Sequence, residues 1–105
     1  MEQRPLVDVI AALDDFPKGD RYEVGPAIFA IKPWSGASPA TVLSEDPING
    51  AAPSRPEFTY LVEVEIAQDV IRVWSAWRNG AVPSGTEATR AVIHYATHDA
   101  FLPVD

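Results

Sequence analysis

From Gln68 to Phe101 the sequence carries two helical patterns joined by Asn79-Gly80-Ala81-Val82-Pro83-Ser84, and no other stretch constrains the fold as tightly. In the first pattern Val70, Val73, Trp74 and Trp77 fall on one stripe, opened by Ile66 or Ala67. That spacing predicts a helix that buries those side chains. Asn79-Gly80 stops it. In the second pattern Ser84 stands where an N-cap belongs and Glu87 follows three residues later, the signature of a capping box. Ala88, Ala91, Val92 and Tyr95 then form an inner face, with alanines small enough to pack closely against the tryptophan helix.

Upstream the rhythm changes. Leu6, Val9, Ile10 and Leu13 at i, i+3, i+4 and i+7 predict a first helix, with Pro5 tolerable in its first turn. Pro17 and Gly19 end it. Ala27 to Lys32 reads as a short strand, and Thr41-Val42-Leu43 as a second, shorter one. Five of the ten prolines lie between Pro33 and Pro56, which predicts loop. Phe58 to Ile66 alternates, with Tyr60, Val62, Val64 and Ile66 on one face and Glu63 and Glu65 on the other. Such a strand belongs to a sheet with one face covered and the other at least partly wet. The expectation is an α+β fold: a small antiparallel sheet of two or three strands packed with about three helices, in one domain over residues 1–105.

Charge narrows the function classes. Fifteen acidic residues against eight basic ones leave a net charge of −7, and residues 1–66 hold eleven of the acids but only five of the bases. A field of that sign repels nucleic acid and anionic lipid, and no basic patch interleaved with aromatics offsets it. The absence of cysteine removes disulfides and thiolate metal sites. No signal peptide or membrane span is visible, so the expected location is the cytoplasm. Excess acid suits solubility, and it also suits steering toward a basic partner protein.

The candidates for chemistry are few. His94 and His98 stand at i, i+4, a spacing that can present two imidazoles to zinc, and Asp99 follows. The residues between them are Tyr95, Ala96 and Thr97, so the glutamate of the zinc-protease motif is missing and a third ligand must come from elsewhere. Trp34-Ser35-Gly36-Ala37-Ser38 lacks the leading glycine of a nucleophile elbow, and no phosphate-binding loop is present. The carboxylate pairs Asp14/Asp15, Glu45/Asp46 and Glu63/Glu65 fall in loops or on the wet strand face, where solvated charge is the plain reading. Trp74 and Trp77 sit at helical spacing, as core residues do. Trp34 lies outside any stripe and either caps the sheet or anchors a contact.

The arrangement resembles an uncharacterised family of small acidic bacterial domains akin to immunity proteins of polymorphic toxin systems. The residues that carry the resemblance are Leu6-Val7-Asp8-Val9-Ile10, Trp34, Val42-Leu43, Glu45-Asp46 and Pro56-Glu57-Phe58, then Gln68-Asp69-Val70-Ile71, Ala91, Tyr95 and Asp99-Ala100-Phe101. Trp77-Arg78-Asn79-Gly80 and the Ala/Pro-rich centre depart from the pattern. The resemblance implies no catalytic residues and no cofactor. Three readings stand at this point. The first is a protein-binding module of immunity type that masks a basic toxin such as a nuclease, with Trp34, Glu45, Asp46, Glu57, Glu63 and Glu65 as the contact patch. The second is a small metal-dependent enzyme centred on His94, His98 and Asp99. The third is a structural or regulatory subunit, homodimeric through apolar surface.

Overall fold

In the computed structural model, which describes residues 3–13, 26–44 and 57–103, the chain runs through β1 (Arg4–Pro5), α1 (Leu6–Ala11), β2 (Pro26–Ile31), β3 (Pro39–Ser44), β4 (Phe58–Glu63), α2 (Val64–Ala76) and α3 (Gly85–His98). The strands form one antiparallel sheet in the order β1-β3-β2-β4. The fold is therefore α+β, with four strands where two or three were expected. The fourth is β1, too short at two residues to leave a mark in the sequence, and it exists because Arg4 and Pro5 lie opposite Ala40 and Pro39.

An unbroken apolar run buries a strand on both faces, and β2 behaves so. Ile28 and Ala30 point into the main core beneath the helices, while Ala27 and Phe29 join Phe58 in a second cluster. Alternation along the strand puts the second cluster on the opposite face of the sheet. The face expected to be at least partly wet is open at Tyr60, 48% exposed and edge-on to Phe29, but it also carries a small core of its own.

The expected strand over 58–66 is also corrected. Ile28 pairs with Val62 but Phe29 pairs with Tyr60, so Leu61 is an extra residue on β4, a bulge. The bulge breaks the alternation and sends the adjacent Leu61 and Val62 both into the main core. The chain then turns into α2 at Val64, two or three residues before the expected start at Ile66 or Ala67. Val64, Ala67, Val70 and Trp74 form the buried stripe, so Val64 and Ile66 belong to the helix and not to a strand face. The apolar residues from 58 to 66 fit period 2 and period 3.6 alike at their end, and packing chose the helix.

Trp77 is the other correction. Expected inside, it is 51% exposed and lies edge-on to Phe101. It follows the last helical turn, where the chain leaves the core. Trp74 takes the buried place, covered by Arg78, whose guanidinium stands 4.4 Å from the Trp74 ring and donates to the carbonyls of Trp74 and Pro103, each at 3.1 Å. Asn79 and Gly80 both take positive φ, and the Gly80 N–H closes on the Ser75 carbonyl at 2.8 Å to end the helix.

α1 and α3 are held at their starts by different means. Leu6, Val9, Ile10 and the following Leu13 are buried, as their spacing requires. The Leu6 and Val7 N–H groups donate to the carbonyls of Ser38 and Gly36 at 2.8 and 2.9 Å. Loop carbonyls thus satisfy donors that a helix start leaves without intrahelical partners. α3 opens with the expected capping box: the Glu87 N–H donates to Ser84 Oγ at 3.1 Å and the Ser84 N–H to Glu87 Oε1 at 3.0 Å. Ala88, Ala91 and Val92 are buried, and α3 packs on both α1 and α2.

Candidate functional site

Two depressions flank α3, and between them they hold Trp34, Glu63 and Asp99 of the candidate residues. The first lies between β4 and the C-terminal half of α3. Tyr60 and Glu63 from the strand, Ile66 from the start of α2, and Tyr95 and Asp99 from α3 line a groove of about 440 Å³. The bulge at Leu61 shapes it by bending the strand just before Glu63. Asp99 stands at the helix C-cap in a left-handed conformation, φ 54°, with its N–H closing on the Tyr95 carbonyl at 2.8 Å. Glu63 and Asp99 therefore reach one groove from elements 36 residues apart in sequence. Neither makes an ion pair with another described residue. Both are available to a cation.

The second depression lies between the β2–β3 loop and the N-terminal half of α3. Trp34, Gly36, Val7, Thr89, Arg90 and Ile93 are among its walls, and it measures about 380 Å³. The loop is locked from within. The Ser35 N–H donates to Ser38 Oγ at 2.8 Å, Ser38 Oγ donates to the Pro33 carbonyl at 3.1 Å, and the Ser38 N–H returns to the Ser35 carbonyl at 3.1 Å. Trp34 is half-buried, and its indole N–H donates to the Ala30 carbonyl at 3.2 Å, which also accepts from Thr59 Oγ1 at 3.0 Å. The Lys32 ammonium sits 4.7 Å from the Trp34 ring centroid. The loop and the helices meet closely here: a Cβ at Gly36 would stand 3.5 Å from Val7 Cβ, and one at Gly85 3.4 Å from Val7 Cγ2, both ordinary van der Waals contacts.

The residues expected to form one acidic contact patch are distributed as follows. Glu63 lines the β4–α3 groove, Glu65 is exposed in the first turn of α2, and Glu57 is exposed just before β4. Trp34 lines the other depression, so it does not share a cavity with Glu63. Glu45 and Asp46 lie outside the described residues, as do Asp14 and Asp15. His94 and His98 do come together, their rings 4.5 Å apart and tilted. Among the described residues no three His, Cys, Asp or Glu side chains are grouped so as to hold a metal ion. Asp99 thus does not complete a ligand set with the two histidines.

Sequence reasoning passed over Tyr60, Tyr95 and Asp99 as groove residues, and Val7, Arg90 and Ile93 as cleft residues. For the cleft a signal was there. Thr86, Thr89, Arg90 and Ile93 recur at i, i+3, i+4 and i+7, a second stripe on α3 beside the buried one. For the groove there was none, because its two acids belong to different elements. No helix among the described residues is long and apolar enough to cross a membrane. Comparison with known proteins found no family model that matches the chain, no similar curated protein and no similar solved structure.

Proposed function

We propose that this protein is a small acidic binding module whose partner is a basic polypeptide, of the immunity type that its sequence resembles. One observation carries the reading: the β4–α3 groove presents two carboxylates, Glu63 and Asp99, without ion-pair partners among the described residues, between the aromatic side chains of Tyr60 and Tyr95. Aromatic walls supply contact area at little cost in side-chain entropy, and acids beside them select for lysine or arginine. Glu65, exposed at the start of α2, adds to the charge on that part of the surface. The overall charge of −7 favours the same kind of partner by steering its approach.

The test is association with the product of the neighbouring gene, using the wild-type chain and the double reversal Glu63→Lys/Asp99→Lys. Charge steering at a groove predicts a bimolecular on-rate that falls as salt rises, and a further drop of about tenfold or more in the reversed variant. Binding that ignores both salt and the reversal refutes the groove as the contact. A neighbouring product that is neither basic nor toxic to the cell refutes the immunity reading.

A further inference from the structure

We propose that the cleft between the β2–β3 loop and α3 is a binding site for a small organic carboxylate with an apolar body, separate from the groove assigned above. Its walls divide by chemistry. Val7, Ile93 and the ring of Trp34 are apolar, and among the described residues the sole charged one in the lining is Arg90. Arg90 shares the lining with Trp34, and the Lys32 ammonium stands 4.7 Å from the Trp34 ring centroid, in a protein that is otherwise strongly acidic.

Arg90 is uncommitted in a way the neighbouring arginines are not. Arg72 is paired with Asp69 at 2.7 Å, and Arg78 is spent on the Trp74 ring and two carbonyls. The nearest carboxylate on the same helix, Glu87 at i−3, is turned back to cap Ser84. Among the described residues Arg90 has no ion pair or hydrogen bond. A guanidinium left so offers a forked pair of N–H donors matched to a carboxylate.

The hydroxyls sharpen the selection. Thr89 Oγ1 already donates to the Gly85 carbonyl at 2.7 Å, so its hydrogen is not offered to a ligand. Charge recognition of the head group falls to Arg90, with the exposed Ser35 and Thr86 hydroxyls in the same lining, and the remainder of the ligand must be apolar to cover Trp34, Val7 and Ile93. The volume of about 380 Å³ lies near the lower end for ligand pockets, which suits one ring or one branched chain rather than a nucleotide. The cleft is formed before any ligand arrives, because the Ser35–Ser38 bonds and the Trp34–Ala30 bond hold the loop and the indole in place. The net charge opposes anions at a distance. At physiological salt the screening length of about 8 Å leaves the local charge, Arg90, to decide.

The experiment titrates the isotope-labelled full chain with phenylacetate, with its neutral amide phenylacetamide, and with inorganic phosphate, following backbone and indole N–H shifts at physiological ionic strength. Phenylacetate is expected to give saturable shifts at Trp34, Gly36, Thr89 and Ile93, with the amide and phosphate each at least about tenfold weaker, as loss of a charge-assisted bond or of the apolar contact demands. Arg90→Gln is expected to weaken phenylacetate about tenfold while leaving the remaining spectrum and the melting temperature unchanged. Non-saturating or scattered shifts, equal response to acid and amide, or an unaltered affinity in Arg90→Gln would each overturn the proposal. Tight phosphate binding alone would show a bare anion site and refute the apolar requirement. None of these outcomes bears on the β4–α3 groove, whose residues the probes do not touch.

Discussion

Replacing Ser84 with alanine removes one half of a reciprocal pair and leaves the other half in place. The Glu87 N–H loses its acceptor at 3.1 Å, while the Ser84 backbone N–H keeps Glu87 Oε1 at 3.0 Å. Loss of a serine N-cap costs about 0.5–2 kcal/mol, typically ~1. Both residues are exposed, so water takes over part of the lost bond and the expectation here is ~1 kcal/mol or slightly less. With an unfolding entropy of about 2.1 cal/mol/K per residue, that is a fall in Tm of about 4–5 °C.

Glu87 adds a pH signature to the same variant. Its carboxyl is held below the usual carboxylate value, first by the Ser84 backbone N–H, then by the Ser84 hydroxyl; desolvation opposes them, and Arg78 adds the smallest contribution. A depressed folded-state pKa contributes stability that is present above the unfolded value, about 4.3, and is lost as the pH falls through the folded one. The coupling between Ser84 and Glu87, read from a double-mutant cycle with Glu87→Ala, must therefore be present at neutral pH and shrink as the pH falls below the usual carboxylate range. Thermal melts by far-UV circular dichroism on the four proteins measure it. A Ser84→Ala melt indistinguishable from wild type, or a coupling that grows on acidification, would refute the reasoning.

Three further perturbations separate other parts of the structure. Leu6→Ala empties a fully buried site in the main core and is expected to cost about 2–5 kcal/mol, read as a lower urea midpoint. Gly80→Ala meets nothing within 4 Å but must adopt φ +83°, so its cost of about 1–2 kcal/mol is purely conformational, and a melting temperature equal to wild type would contradict the turn. Trp74→Ala is expected to lose about 3–5 kcal/mol, whereas Trp77→Ala, half of whose surface is already in water, should lose well under half of that in the same urea titration.

Reading the chain went furthest where the pattern was local. The stripe Leu6, Val9, Ile10, Leu13 is buried throughout, the Ser84–Glu87 box forms as its spacing requires, and Asn79-Gly80 turns the chain after α2. Reading stopped where two patterns overlapped. Val64 and Ile66 satisfy strand alternation and helical spacing together, and only the bulge at Leu61, a feature of pairing with β2, resolves them. The tryptophans show the same limit: Trp74 and Trp77 share one face of a helical wheel, but α2 ends at Ala76. The candidate sites were less legible still. Glu63 was singled out, but its companion Asp99 comes from the other end of a separate element, and Trp34 lines a different depression from Glu63.

By itself the chain determined its helix faces, its caps, its principal strands and the sign of its charge, because each depends on residues within a turn or two of one another. Tertiary structure alone decided where β4 gives way to α2, that the sheet is buried on both sides at β2, and which side chains meet across α3 to form a groove and a cleft. Those outcomes depend on surfaces brought together from distant parts of the chain, and local spacing holds no record of which surface a given face will meet.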